Sequence, residues 1–303
     1  MKCFRPLKAY RAHGGGIVFD SKRGFADRPL ELRCGQCRGC RIKRTREWAI
    51  RCVHEAQLHT RNCFITLTYD DEHLPSDLSV HVPHWQKFAR RVRKRFKGST
   101  FRYLAVGEYG ERSLRPHYHA CVFGLDFARD REVLHSNRRG DVVYHSPTLT
   151  SLWGQGHASI GALTFDSAAY VARYCMKKVN GSEQDKEEAY TRYMYVDTET
   201  GECHAVRVRP EFNVMSRRPG LGAGWFEKYG KTDVLPFDEV VHRGRSYRPP
   251  RFYDNQLSEE ELARVKDKRA RAVQGYLQDN TYERLAVQEQ VAEARLSQLR
   301  RQL

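Results

Sequence analysis

Two apolar-rich segments, 101–108 and 117–124, flank the loop Tyr109-Gly-Glu-Arg-Ser-Leu-Arg-Pro116, and no other stretch constrains the fold as much. Apolar segments of strand length separated by a loop containing Gly and Pro predict an antiparallel hairpin. Side chains alternate along a strand, so His117 and His119 project from the same face, at the rim of a sheet. Glu108 ends the first segment, and the hairpin returns His117 close beside it. Cys63-Phe-Ile-Thr-Leu-Thr-Tyr69 is β-branched and aromatic, runs into Asp70-Asp71-Glu72 and Pro75, and reads as a central strand.

Helical spacing accounts for much of the rest. Ile42, Thr45, Trp48, Ala49, Cys52, Val53 and Ala56 form a buried stripe over 41–59. Pro83 opens a second helix with Trp85, Phe88, Val92 and Phe96 inward, and Lys87, Arg90, Arg91, Arg93, Lys94, Arg95 and Lys97 outward. A third spans 166–179 with Asp166 or Ser167 as its N-cap. Its apolar set is Ala168, Val171, Cys175 and Val179, while Tyr170 and Tyr174 stand one turn apart off that stripe. Residues 193–196 and 204–208 pair as a peripheral ribbon around a turn at 198–201, and 210–225 reads as a loop whose glycines suit either a tight turn or a phosphate cradle. Ser258-x-x-Glu261 and Asn280-x-x-Glu283 start two stretches of a charged helical tail. The predicted organisation is a Cys-rich segment with a basic helix (1–60), a core with the ribbon (61–235), a linker (236–257) and the tail (258–303).

The 303 residues carry 53 Lys and Arg against 37 Asp and Glu, a formal +16 that an enzyme of small metabolites has no need to hold. A polyanion is the expected partner, with Arg90, Arg91, Arg93, Lys94, Arg95 and Arg115 as candidate phosphate contacts, although a cationic run can also be only a solvated face. No apolar run reaches the roughly 18–20 residues of a membrane span, and the start lacks the apolar core of a signal peptide, so a soluble cytoplasmic protein is expected. The nine cysteines therefore do not suggest a disulfide framework. Cys34-Gly-Gln-Cys37-Arg-Gly-Cys40, with Cys3 upstream, has the spacing of a structural Zn²⁺ knuckle and equally fits reduced thiols beside a basic helix. Cys52, Cys63, Cys121, Cys175 and Cys203 read as small core residues.

Two imidazoles on one strand face are too few for a metal site, so a carboxylate should complete it. Glu108 is best placed by local topology, ahead of Glu55 and Asp71, and the mixed donor set with water suits Mg²⁺ or Mn²⁺. An ion there withdraws charge from a phosphodiester, and a tyrosine phenolate then makes a usable nucleophile whose phosphate ester conserves the broken bond. Tyr170 and Tyr174 are the candidates, with a buried aromatic pair as the alternative. Lys177, one turn beyond Tyr174, favours Tyr174 for the first nick. Competing readings are a noncatalytic zinc-containing nucleic-acid-binding regulator and a histidine phosphoesterase using His117 and His119 as acid and base.

His117-Tyr-His119 after Arg-Pro, Tyr170-Val-Ala-Arg-Tyr174 with Lys177-Lys178, and the strand ending Thr66-Leu-Thr68 together resemble the HUH superfamily of rolling-circle replication initiators. The similarity is greatest to the initiators of microviruses of the gokushovirus branch. The resemblance covers 63–178, and the middle Tyr118 is less aliphatic than the motif asks. It implies metal ligation by His117, His119 and Glu108, and nucleophilic roles for Tyr170 and Tyr174. Nicking and rejoining of single-stranded or extruded origin DNA, through a 5′-phosphotyrosyl link, would then start and end rolling-circle replication. A host helicase and replication machinery in the bacterial cytoplasm are the implied partners. The fold expected is α+β, of the HUH endonuclease type, with a mainly antiparallel central sheet of about five strands. Helices back one face, and the metal lies on the open one.

Overall fold

Strict alternation in Asn62–Tyr69 buries Cys63, Ile65, Leu67 and Tyr69 and turns Phe64, Thr66 and Thr68 to the opposite face. This strand is the middle of a seven-stranded sheet in a computed structural model that describes residues 3–110, 113–136, 140–174, 183–196, 201–274 and 280–298. The side chains at 174, 183–186, 193–196, 203, 204 and 296 are excepted. Lys177, Cys175, Val179 and the turn expected at 198–200 lie outside the described residues. The chain forms two compact units, Met1–Arg46 with Asp254–Leu303, and Glu47–Tyr253.

In the first unit, β1 (Leu7–Ala12), β2 (Ile17–Val18) and β3 (Gly24–Leu32) form an antiparallel sheet in the order β2-β1-β3. The helix α1 (Arg38–Ala56) begins in this unit and ends in the second. The second unit continues with β4 (Asn62–Tyr69), α2 (Val82–Arg95), β5 (Arg102–Tyr109), β6 (Pro116–Phe123), β7 (Glu132–Ser136) and β8 (Val142–His145). Then come α3 (Pro147–Trp153), β9 (Gly156–Gly161), α4 (Phe165–Tyr174), α5 (Glu183–Tyr190), β10 (Thr191–Val196), β11 (Cys203–Arg207) and β12 (Phe212–Met215). It ends with α6 (Ala223–Tyr229), the short hairpin β13 (Val240–His242) and β14 (Arg245–Tyr247), and most of α7 (Arg251–Asp254). Back in the first unit, α8 (Glu259–Gln274) and α9 (Tyr282–Gln298) form the tail.

The central sheet runs β12-β5-β6-β4-β9-β8-β7 with every pairing antiparallel. It has more than the five strands expected. The missed ones are β7, with every residue exposed and little alternation, and β8 and β12, four residues each. The ribbon β10-β11 is present as a separate sheet. Helices also cover both faces rather than one. On one face, Trp85, Phe88, Ala89 and Val92 of α2 and Leu149 and Trp153 of α3 pack on Ile65, Leu67, Tyr118 and Ala120. On the other, Ala49 and Cys52 of α1 and Ala168 and Val171 of α4 meet Leu104, Val106, Cys121 and Phe123. The sheet needs this second layer because β5 and β6 are apolar on both faces at that end.

Two caps differ from the sequence reading by one or two residues. The α4 cap is Thr164: its hydroxyl accepts from Ser167 N at 3.1 Å, and Ser167 Oγ accepts from Thr164 N at 2.8 Å. A serine can close this reciprocal box as well as the usual Glu or Gln, which hides it from a search for S/T-x-x-E. At α9 the capping hydroxyl is Thr281, accepting from Arg284 N, rather than Asn280. The Ser258/Glu261 box at α8 forms as expected.

His54 is buried with its ring stacked on Trp225 at a centroid distance of 3.5 Å and its Nδ1 2.7 Å from the Tyr253 hydroxyl. Burial, aided by His242, lowers its pKa from the ordinary 6.5 to about 3. Below pH 6.5 the unfolded chain takes up a proton that the native state refuses. Stability is therefore lost as pH falls through this window, by about 1.4 kcal/mol per unit for a fully depressed group. Urea titrations of wild type and His54→Asn at several pH values between 6.5 and 5 should show a shallower pH slope in the variant, whatever its absolute stability. Equal slopes would assign the acid sensitivity elsewhere.

Candidate metal centre and the tyrosine helix

The pairing of β5 with β6 sets Glu108 opposite His117 and Val106 opposite His119, while β4 sets Thr68 opposite His117 and Thr66 opposite His119. With side chains alternating, both histidines and Glu108 fall on the α1/α4 face, and Tyr118 between them points into the α2 core. His117 Nε2 lies 3.2 Å and His119 Nε2 3.1 Å from Glu108 Oε1. The ligand atoms of all three residues fall within 4.8 Å of one another. Glu108 is 1% exposed and the imidazoles 15% and 11%, so the carboxylate forms the floor of a site whose imidazoles reach solvent.

The outer ring nitrogens are already committed. His117 Nδ1 is 3.0 Å from the carbonyl of Arg115, and a carbonyl can only accept, so Nδ1 carries the hydrogen. His119 Nδ1 is 2.9 Å from the Thr66 hydroxyl, which can accept in the same way. In the neutral rings each Nε2 then presents a lone pair toward a carboxylate oxygen. That juxtaposition is repulsive unless a cation sits among the three groups, and outer hydrogen bonds of this kind are what orient metal-binding histidines. Glu108 Oε2 adds a second sign: it is buried with no hydrogen-bond partner. Burial raises the Glu108 carboxyl, but its contacts with His117 and His119 more than offset this and hold it below the usual carboxylate range. Burial lowers His119, against the pull of Glu108. An ionised carboxylate beside a neutral imidazole is the protonation state a divalent ion requires.

Tyr170 on α4 completes the arrangement. Its hydroxyl donates to Glu108 Oε1 at 3.4 Å, and its ring meets His119 edge-on at 5.2 Å between centroids. The guanidinium of Arg173 lies 5.1 Å from the centre of the Tyr170 ring. Sequence reasoning missed Arg173 and assigned the nearby cation to Lys177, which lies outside the described residues. Tyr174 ends α4, one turn beyond Tyr170. The other two candidate carboxylates are engaged elsewhere. Glu55 is buried, pairing with Arg102 and His59 and accepting from Gly222 N at 2.8 Å, and Asp71 is exposed and pairs with Arg115 at 2.8 Å. Gly222, at φ +79°, thus belongs to a loop fastened by Glu55.

Of the candidate phosphate contacts, Arg115 donates to the Tyr69 carbonyl at 3.0 Å, beside the start of β6. Arg90, Arg91, Arg93, Lys94 and Arg95 are exposed on α2, on the sheet face opposite the imidazoles. Arg91 also donates to the Trp153 carbonyl, and Arg93 lies over Phe101. Far from this centre in sequence, Cys3, Cys34, Cys37 and Cys40 converge, their sulfurs all within 4.8 Å of one another. No helix among the described residues is long and apolar enough to cross a membrane.

Residues 62–179, which carry every part of this centre, match the family model of the phage replication-associated protein ORF2. Over 266 residues, 84% of this chain and 76% of its relative, the sequence is 32% identical to replication-associated protein VP4 of Bdellovibrio phage phiMH2K. It is 28% identical over 286 residues to replication-associated protein ORF2 of Spiroplasma virus 4, covering 86% of this chain and 81% of that protein. With replication-associated protein ORF4 of Chlamydia phage 1 the identity is 34% over 167 residues, 53% of this chain and 42% of the other. No solved structure matches. The chain belongs to the phage replication-associated proteins, of the microvirus type.

Proposed function

We propose that this protein is a replication initiator of the HUH kind, which nicks and rejoins single-stranded origin DNA inside the host bacterium to start and end rolling-circle replication. The observation that carries this reading is the convergence on Glu108 Oε1 of His117, His119 and the Tyr170 hydroxyl, at 3.1 to 3.4 Å, from β6 and α4. His117, His119 and Glu108 would hold one Mg²⁺ or Mn²⁺, which when bound withdraws charge from a phosphate oxygen. Arg115 and Arg173 add positive charge beside the scissile phosphate. A tyrosine oxygen attacks phosphorus, the bond from phosphorus to the 3′ oxygen breaks, and the phenol proton ends on that oxygen. The products are a free 3′-hydroxyl primer and a 5′-phosphate esterified to tyrosine, so the bond energy is kept for rejoining. With Tyr170 and Tyr174 one helical turn apart, one can remain esterified while the other attacks the regenerated junction.

The test uses the purified protein, Mn²⁺ and labelled single strands tiling the cognate phage genome. An SDS-resistant protein–DNA band with strands from one locus is expected. Binding to these strands with no covalent band would favour the noncatalytic regulator instead.

The cations of α2 can act on DNA only away from the reacting phosphate, because the sheet lies between. Changing Lys87, Lys94 and Lys97 to Ala is expected to weaken binding to all sequences alike and to flatten the salt dependence by roughly 0.7 per lost single-strand contact. All three are exposed, so stability should change by no more than about 0.5 kcal/mol. An unaltered salt slope would leave this run as a solvated face.

A further inference from the structure

The three-stranded sheet of the first unit has almost no core of its own. Of β1, β2 and β3 only Ala9, Tyr10 and Gly24 are buried, too little apolar surface to hold three strands in place without another constraint. The four cysteines stand where such a constraint would act: Cys3 precedes β1, Cys34 and Cys37 follow β3, and Cys40 lies in the first turn of α1.

We propose that Cys3, Cys34, Cys37 and Cys40 hold one structural Zn²⁺ that closes this sheet onto the start of α1. Cys3 Sγ is 3.6 Å from Cys34 Sγ and 3.9 Å from Cys37 Sγ. A tetrahedral ion with Zn–S bonds of about 2.3 Å sets its sulfurs about 3.8 Å apart, whereas a disulfide needs about 2.05 Å. Backbone amides already point at the sulfurs, with Phe4 N on Cys37 at 3.3 Å, Cys34 N on Cys3 at 3.3 Å and Cys37 N on Cys34 at 3.2 Å. Amides in these positions stabilise sulfur carrying negative charge, the state a metal thiolate adopts. Gly35, at φ +75°, supplies the left-handed turn that lets both sulfurs of Cys34-Gly-Gln-Cys37 face the same point. Four thiolates around Zn²⁺ leave a net charge of −2, and Arg33, Arg38 and Arg41 follow in the flanking chain to offset it. Phe4, Cys37 and Cys40 also pack on Ala292 of α9, where Arg5 pairs with Glu289 at 2.9 Å. The ion would thereby fix the seat of the tail helix as well as the sheet.

Elemental analysis of the full-length protein purified without added metal should find about one zinc per chain. Mercurial titration of the native protein should release that zinc as its thiols react, a measurement independent of any variant's folding. Cys34→Ser and Cys37→Ser should lose the zinc and become protease-sensitive within residues 3–46, with residues 47–253 still protected. The core variant Cys63→Ala and the site variant His117→Ala should both keep it. Metal-free protein with residues 3–46 protected would overturn the proposal. So would iron in place of zinc, or zinc that survives Cys34→Ser and departs with His117→Ala.

Discussion

Changing Tyr170 and Tyr174 together to Phe is expected to abolish the SDS-resistant protein–DNA adduct, with a fall in nicking of about 10³-fold or more, the scale on which loss of a covalent nucleophile acts. Phenylalanine keeps each ring and deletes only the oxygen. The edge-on contact of residue 170 with His119 and the helix packing of Ala168 and Val171 should therefore survive, and so should DNA binding. The single variants separate the two tyrosines. The Tyr170 hydroxyl is the one at Glu108 Oε1, with Arg173 over its ring, so Tyr170→Phe should suppress the first nick more than Tyr174→Phe. The position of Lys177 in the sequence favours the opposite order. Either single variant should fail to complete a replication round, since termination needs one tyrosine occupied and the other free. Adduct formation by the double variant would exclude both as nucleophiles.

Loss of the imidazoles should be nearly as damaging. His117→Ala or His119→Ala is expected to cost several kcal/mol of transition-state stabilisation, or about 10²–10⁴ in nicking rate, while leaving much of the DNA affinity, which rests on cations elsewhere. Glu108→Gln distinguishes a metal site from a merely structural cluster. The amide retains the carboxylate's shape and can donate to a histidine Nε2, so the metal-free variant should be no less stable than wild type. Mn²⁺ should raise the Tm of wild type and leave that of Glu108→Gln unmoved. Thr66→Val, which removes only the partner of His119 Nδ1, should weaken metal affinity by about 10- to 100-fold. Metal stabilisation and metal-dependent nicking that persist in Glu108→Gln would dismiss the carboxylate as a ligand.

The parts of this centre that the sequence made readable are those governed by local periodicity. Alternation alone puts His117 and His119 on one face, and the hairpin it predicts brings Glu108 beside them. Helical spacing likewise sets Tyr170 apart from Ala168 and Val171. What the sequence hid depends on how layers stack. Arg173 reaches the Tyr170 ring only because α4 lies against β5 and β6, and Thr66 meets His119 through the pairing of β4 with β6. The second helical layer was hidden for a related reason: Cys121 and Phe123 follow the two histidines on the same face, and a polar start masks the apolar end of that face. The strand β7 carries no buried residue, so its sequence offered no alternation to read.

The pairing of β5 with β6 also determines where this protein can change length. A residue inserted between Gly110 and Arg115 lengthens a loop and leaves Glu108 opposite His117. The same insertion between Glu108 and Tyr109, or a one-residue slip of β6, exchanges the two faces of the strand. It would turn both imidazoles into the α2 core and lift Tyr118 from its hydrogen bond with Tyr69. Chemistry and core are thus written on alternate letters of one strand, so a frame error of a single residue erases both together, and drift in length is confined to the loop.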